Sequence, residues 1–384
     1  MLDKRDNLNA TLSQFMYETI SAGSTNQLPI SSVCNGKCVF CSNNMNPFKI
    51  HRVGFRPLDD IKKGIALLSP SGNAEIRIGD SLPGRVSEGE ALLHPKIFTI
   101  LKLIRKKSPG NVIQVNTNAT MLTKDFIEKL EEFKPMKFTI SYHSDNSEYW
   151  QKIFNLGEDS YRIARSSFLQ LRLKEFLIEA TVVPLPTLVG YDDLDKTFAA
   201  LRCYTSNVLV YAPGYSKLAS ENLKNILNVN YKELSTFFVK MREKYKIAIN
   251  FFSDPMCPLS FYPFQFMQNS FNNKFKNVLW LFSEAAFSRN RMILNKYLPY
   301  IPNNHYSVKV KNRTYGGNIN SAGLLLVDDF VRCAGNAIKN LKNQNIDIDL
   351  LVIPKIAFDR FGDDLTGKNF SIIEEKYKLP VWQG

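Results

Sequence analysis

Short β-branched runs alternate with amphipathic stretches from about residue 28 to residue 216. The runs predict strands at LPISSV (28–33), AEIRIG (74–79), NVIQVN (111–116), MKFTIS (136–141), LIEATVV (177–183) and NVLVYA (207–212). Between them, apolar positions recur at helical spacing in LDDIKKGIALL (58–68), PKIFTILKLIRKKS (95–108), TKDFIEKLEEF (123–133), part of 147–173 and YDDLDKTFAALRCY (191–204). Pro95 suits a first helical position and Thr123 an N-cap. Strands that alternate with helices imply βαβ units and a parallel sheet. An eight-fold barrel needs two further repeats, and the pattern stops near Ser216. The expected fold is therefore α/β, a partial (β/α)6 TIM-like barrel.

Residues 1–27 precede this pattern as an N-terminal extension, and residues 217–304 follow it with a different character. NLKNILNVNYKELSTFFVKMREKYK reads as helix, IAINFF (247–252) as a short strand, and Phe261–Tyr297 as an aromatic-rich, mostly helical stretch. From residue 305 to 384 the pattern changes again: a strand at YSVKVKN, a Gly-rich turn at TYGGN, a helix at LVDDFVRCAGNAIKNL and a strand at IDLLVI. These predict a helical, aromatic-rich region over 217–304 and a small C-terminal α/β domain over 305–384.

Composition narrows the function classes. A 44% hydrophobic content is ordinary for a globular chain of 384 residues. The net charge of +13 favours anionic partners such as phosphorylated metabolites, acidic peptides or nucleic acid, though nucleic acid has no support beyond that charge. The N-terminal residues mix both signs without an apolar run, unlike a secretory signal. Nowhere do about 18 uninterrupted apolar residues occur, so no membrane partner is expected. Three of the six cysteines fall within 34–41, while Cys203, Cys257 and Cys333 stand alone. That clustering points to a metal site in a reducing cytosol rather than a disulfide framework.

Cys34, Cys38 and Cys41 have the spacing C-x3-C-x2-C directly after the first predicted strand. Three thiolates can hold three irons of a [4Fe–4S] cubane and leave the fourth iron open. A zinc site is the alternative, but zinc wants a fourth ligand, and the nearest histidine is His51. His51-Arg52-Val53-Gly54 also has the form of a cobalamin-ligating H-x-x-G, although Lys49 stands where that motif has an acid.

The cysteine pattern, with Phe40 just before the third cysteine, resembles the signature of the radical S-adenosylmethionine (radical SAM) superfamily. The resemblance implies an oxygen-sensitive [4Fe–4S] cluster on Cys34, Cys38 and Cys41, with S-adenosylmethionine bound at the open iron. It implies reductive cleavage to a 5′-deoxyadenosyl radical that abstracts hydrogen from a substrate, and an electron donor such as flavodoxin or ferredoxin. Glu88-Gly89-Glu90-Ala91-Leu92-Leu93-His94-Pro95 resembles the superfamily's GGEPLLHP segment, with Glu88 for the first Gly and Ala91 for the Pro. Gly79-Asp80 competes for the same role. Asn116-Thr117-Asn118-Ala119-Thr120 resembles the segment after the third strand, with Ala119 replacing Gly. By resemblance the cofactor-binding set is Phe40, Gly89, Glu90, Asn116, Ser141, Val183, Tyr211 and Ala212, across residues 28–216.

Tyr142 and His143 follow the fourth predicted strand and are candidates to meet the substrate, as is Cys257. No second cysteine cluster follows the barrel. Residues 312–366 resemble, in patches, an uncharacterised domain that follows some radical SAM cores. The substrate class expected is a peptide or protein side chain or an anionic metabolite. Two alternatives are an iron–sulfur protein without radical turnover and a radical enzyme that modifies nucleic acid.

Overall fold

The computed structural model describes residues 26–45, 54–69, 75–80, 88–252, 274–297, 304–358 and 361–384. The remaining residues, including most of the 1–27 extension, His51 and Cys257, lie outside the described set. Strands β1 (Ile76–Ile78), β2 (Met-free run Ile113–Thr117), β3 (Met136–Ser141), β4 (Leu177–Val182), β5 (Asn207–Tyr211) and β6 (Ala248–Phe252) form one sheet in sequential order. Every pair is parallel. Helices fill the connections, among them Ile97–Lys107, Lys124–Leu130, Glu158–Leu173 and Pro186–Leu201. Sequential order with right-handed crossovers places the helices on one face, as a part-closed barrel requires.

Period-two alternation sorts the strand residues between the two faces. Ile76, Ile78, Ile113, Val115, Phe138, Ile140, Ala180, Val182, Val208 and Val210 are buried in one apolar core with Ile100, Ile104, Phe168 and Phe198 of the helices. The residues between them are largely polar. Lys137 Nζ lies 2.8 Å from Glu75 and 3.9 Å from Glu179, and Glu179 accepts from Thr139 Oγ1 at 3.3 Å and from the Asn207 side-chain amide. The face away from the helices is thus a mutually neutralised polar surface.

Several elements depart from the sequence reading. LPISSV is extended but is no regular strand: the residue before it, Gln27, makes a single parallel bridge to Arg77 of β1, and only Leu28 N of the run itself donates to that strand, to Arg77 O at 2.8 Å. The backbone N–H groups of Ile30 and Ser31 donate to Glu88 Oε2 instead, at 2.9 and 2.8 Å. Arg56 lies 3.5 Å from the other oxygen of this buried carboxylate. The helix expected from Pro95 begins at Ile97, because the Lys96 N–H donates to His94 Nδ1 across a turn. Thr123 caps its helix through Phe126 N at 3.3 Å. The helix expected over 222–246 is two, Glu221–Leu227 and Tyr231–Tyr245, separated where Asn230 caps the second. β6 belongs to the first sheet beside β5, so the barrel pattern runs past the boundary expected at Ser216.

The second sheet holds β7 (Asn277–Ser283), β8 (Asn304–Val310), β9 (Leu350–Ile353) and β10 (Val381–Gln383), in the order β10-β9-β7-β8 and all parallel. β7 falls in the stretch read as mostly helical. Its run NVLWLFS is buried on both faces, so it lacks the alternation that marks a half-exposed strand. The boundary expected at 304/305 therefore cuts β8 after its first residue and would part that strand from its partner β7. Leu279, Leu281, Leu351 and Ile353 pack with Val327, Phe330, Ala334 and Ile373 in one core. Val278, Trp280, Phe282, Leu350 and Val352 pack with Leu294 in another. Helices thus cover both faces, as in a doubly wound sheet.

Glu88→Ala leaves two backbone donors without their acceptor and should lower unfolding stability by about 2–4 kcal/mol. Glu88→Gln, which keeps one carbonyl oxygen, should lose about half as much. Urea unfolding of both variants under anaerobic conditions checks this.

Candidate functional site

Three loops meet beyond the strands' C-terminal ends. The first carries the cysteines. Cys41 N donates to Cys38 O at 3.0 Å, and the turn Ser42–Asn44 closes behind it, with Asn44 N on Cys41 O at 3.1 Å. The helix Ser147–Phe154 supports the loop from below, accepting Val39 N at Ile153 O (2.9 Å) and Lys37 N at Phe154 O (3.0 Å). Cys34 keeps an open side to solvent, while Cys38 and Cys41 are half-buried. Loss of surrounding water raises all three thiols above their ordinary value, Cys38 most, and there the charges of Cys41 and Cys34 add to the effect.

The second loop is Gly89-Glu90. Gly89 N donates to Ser31 O and Glu90 N to Val33 O, both at 2.9 Å. A Cβ on Gly89 would stand 2.1 Å from Val33 O, so only glycine allows this approach. Glu90 is 2% exposed. Its Oε1 accepts from Thr117 Oγ1 (2.8 Å) and Leu92 N (3.2 Å), and its Oε2 from Asn118 N (2.7 Å). Burial outweighs these donors and lifts its pKa to about 7. Among the described residues no cationic side chain neutralises it.

The third loop, 117–120, ties the other two together. Asn118 Nδ2 donates to Asn35 Oδ1 at 2.9 Å and lies 4.0 Å from Cys34 Sγ. Asn35 Nδ2 in turn donates to Thr120 Oγ1 at 2.9 Å. Ala119 takes a φ of 64°, the left-handed region that favours glycine. Asn35 escaped the sequence reading as a site residue, and Thr117 and Asn118 entered it only as part of the 116–120 resemblance, outside the named cofactor-binding set. Their signal is their position, a run of short polar side chains at a strand end beside the cysteine loop.

Asp80 stands apart from this group. It accepts from Gln27 Nε2 and Asn116 Nδ2, both at 3.1 Å, and lies 3.9 Å from Arg77. Glu90, whose charge bears directly on the Cys34 thiol, is the acid that adjoins the cysteine loop. Asn116 is therefore an Asp80 partner. Further along the rim, Ser141 Oγ accepts from Thr181 Oγ1 at 3.2 Å. Tyr211 stacks on Phe252 with centroids 5.1 Å apart, and burial together with Asp80 pushes its pKa up to about 12. Ala212 is buried and donates its N–H to Phe252 O at 3.0 Å.

The two candidates after β3 point to different faces. Tyr142 shares the parity of Ile140: it packs edge-on to Phe168 at 5.2 Å, and its hydroxyl donates to Asp145 at 2.7 Å. Asp145 is itself paired with Arg165 at 2.7 Å. Burial and Asp145 hold the Tyr142 phenol far above its ordinary range, so it acts as a structural donor. His143 has the parity of Ser141. Its ring lies edge-on to Phe40 at 4.5 Å and stacks on Phe154 at 4.9 Å. Its Nδ1 accepts from Val183 N at 2.9 Å, so Nε2 carries the hydrogen, and that atom is buried without a partner. The structure thus brings Phe40, His143 and Val183 together behind the cysteine loop.

Burial lowers the His143 pKa to about 3. The unfolded chain therefore takes up this proton first on acidification. The stability His143 lends is complete above about pH 6.5 and is lost as pH falls toward 3, at up to about 1.4 kcal/mol per unit. His143→Gln, whose amide oxygen can accept from Val183 N, should flatten that limb in urea titrations between pH 6.5 and 4. An unchanged limb would assign it to other groups.

No curated protein matches the chain. Among solved structures, Streptococcus suis SuiB bound to S-adenosylmethionine is 15% identical with a TM-score of 0.46, covering 64% of this chain and 56% of that one. The anSMEcpe structure with bound AdoMet and a Cp18Cys peptide is 15% identical with a TM-score of 0.42, covering 58% and 62%. A radical SAM methyltransferase from Sphaerobacter thermophilus is 11% identical with a TM-score of 0.44, covering 59% and 64%. The chain thus spans about six-tenths of the length of these proteins. The family model of the radical SAM superfamily matches residues 28–182, the span that holds the cysteine loop, Gly89-Glu90 and the 117–120 loop. What this match shows is a radical SAM domain over residues 28–182 of the chain.

Proposed function

We propose that this chain holds one [4Fe–4S] cluster on Cys34, Cys38 and Cys41, binds S-adenosylmethionine beside it, and abstracts a hydrogen atom from a second substrate. The observation that carries the reading is the buried Glu90 carboxylate, left without a cation next to a three-thiol loop. The donor set fits such a cluster. Its thiols share one short loop and act on each other electrostatically, and no three His, Cys, Asp or Glu among the described residues converge on a single metal ion. A zinc site needs four donors that converge; a cubane spreads its thiolates over separate irons.

Held by Cys34, Cys38 and Cys41, the cluster would supply one electron for reductive cleavage of S-adenosylmethionine to methionine and 5′-deoxyadenosine, the hydrogen atom of the latter coming from the substrate. This chain's residues bind and orient. Glu90 has three of its roughly four acceptor positions filled, and the free one, on Oε2, suits the methionine ammonium. A cation there would restore full ionisation to the carboxylate, which makes binding and charge mutually favourable. Phe40, His143 and Phe154 back the loop with ring surface that keeps water out. The electron comes from a separate donor protein of the flavodoxin or ferredoxin kind, and the surplus of 13 positive charges suits an acidic one. The same surplus supports a substrate that carries negative charge, a peptide or an anionic metabolite. Free thiols suit a reducing compartment, the cytoplasm. No helix among the described residues is long and apolar enough to cross a membrane.

Anaerobic reconstitution should load about four irons and four sulfides per chain. Replacing Cys34, Cys38 and Cys41 together by Ala should abolish this, and a full cluster in that variant would overturn the reading. Glu90→Ala should weaken S-adenosylmethionine binding by about 10–100-fold, the loss of one charged contact, and Asp80→Ala by less than about threefold. Equilibrium binding to the reconstituted protein measures both, and the reverse order would move the role to Asp80. Dithionite-reduced wild type should release 5′-deoxyadenosine from S-adenosylmethionine.

A further inference from the structure

The loop that follows β8 is built onto the barrel. Tyr215 N donates to Asn318 Oδ1 at 2.7 Å, and Asn318 N returns to Tyr215 O at 3.1 Å. Asn318 Nδ2 donates to Pro213 O at 3.1 Å, and Lys217 N to Tyr315 O at 2.7 Å. A Cβ on Gly317, whose φ is +61°, would stand 2.0 Å from Tyr215 O, so the approach requires glycine both for space and for conformation. Residues 212–217 follow β5 directly, and 311–318 follow β8 directly. The seam therefore joins the C-terminal rims of two parallel sheets, the ends at which such sheets carry their sites.

The barrel side of the seam leads to the cysteines. Ser216, between the two residues laddered to 315–318, donates its hydroxyl to Met45 O and is itself buried. Met45 directly follows the turn Ser42–Asn44 that closes behind Cys41, where Asn44 Nδ2 also donates to Cys38 O at 3.3 Å. Hydrogen bonds and the short stretches of backbone between them thus link Gly317–Asn318 through Tyr215–Lys217 to the loop of the last two thiols.

We propose that the turn Asn312–Asn318 of the second sheet is a positioning element for the cysteine loop, so that the C-terminal region completes the cofactor site mechanically without contacting it. Gly317 and Asn318 are its key residues. The inference rests on the reading of that loop as the cluster site. Its test is hydrogen exchange together with the rate at which reconstituted full-length protein gives up iron to a chelator. Gly317→Ala should speed exchange at 213–217 and at 41–45 and should release iron about fivefold faster or more, as the loss of one or two hydrogen bonds allows. Asn318→Asp keeps the acceptor for Tyr215 N and should fall between wild type and Asn318→Ala, a graded pair that serves if Gly317→Ala fails to fold. Gly362→Ala is the control, since the nearest atoms its Cβ would meet are those of Phe370 and Asn369, within the C-terminal region. A seam that opens while exchange at 41–45 and iron release stay at wild-type values would overturn the proposal, as would Gly362→Ala reproducing the effect. Wild type that binds no iron would instead defeat the cluster reading, and exchange at 41–45 in Gly317→Ala would still decide the mechanical link.

Discussion

The segment that delivers the cysteines has one ladder contact to the sheet, and a buried carboxylate supplies what the ladder lacks. Glu88 accepts the N–H groups of Ile30 and Ser31, and Gly89 and Glu90 donate theirs to Ser31 and Val33. Three successive residues thereby fix residues 30–33 as a neighbouring strand would, and Cys34 follows at once. Glu90 then turns away to collect Thr117 and Asn118, and Asn118 reaches back to Asn35. The position of the first thiol relative to the acid is over-determined by this circuit. A buried carboxylate with a free lone pair is costly to keep. In the proposed function, the ammonium of S-adenosylmethionine would offset that cost beside the three thiols.

The departure of Glu88 from the superfamily's glycine becomes intelligible on these grounds. A glycine there could not reach the two N–H groups of a segment that has left its sheet. The departure at Ala119 is of another kind. Its methyl is buried and its φ is positive, so the chain tolerates local strain of about 1–2 kcal/mol where the loop must turn sharply to present Asn118.

The second sheet extends the same logic. Its strand order reverses direction about β7, so helices cover both faces and the loops at one end are left to make contacts. One of those loops lies on the segment after β5, tightly enough that Gly317 has no room for a side chain. Two sheets that share a seam at their C-terminal ends transmit rigidity through backbone hydrogen bonds, which tolerate little displacement.

The sequence by itself determined the parallel α/β core, the strands β1 to β5 within one or two residues, and the three thiols as a unit. Hydrophobic periodicity and residue spacing are local, and these features follow from local patterns. It also contained the parity that separates Tyr142 from His143, since counting by twos along MKFTISYH places Tyr142 with the buried Ile140. Only the tertiary structure decided that LPISSV leaves the sheet, that IAINFF joins it, and that NVLWLFS is a central strand. A run buried on both faces has no period to read, and an edge strand is defined by the partner it finds. The same holds for the site. Glu90 rather than Asp80 adjoins the cysteines, and Ser216 reaches Met45, because hydrogen bonds between residues distant along the chain are set by how the sheet curves and where its loops cross. Those distances exist only once the core has formed.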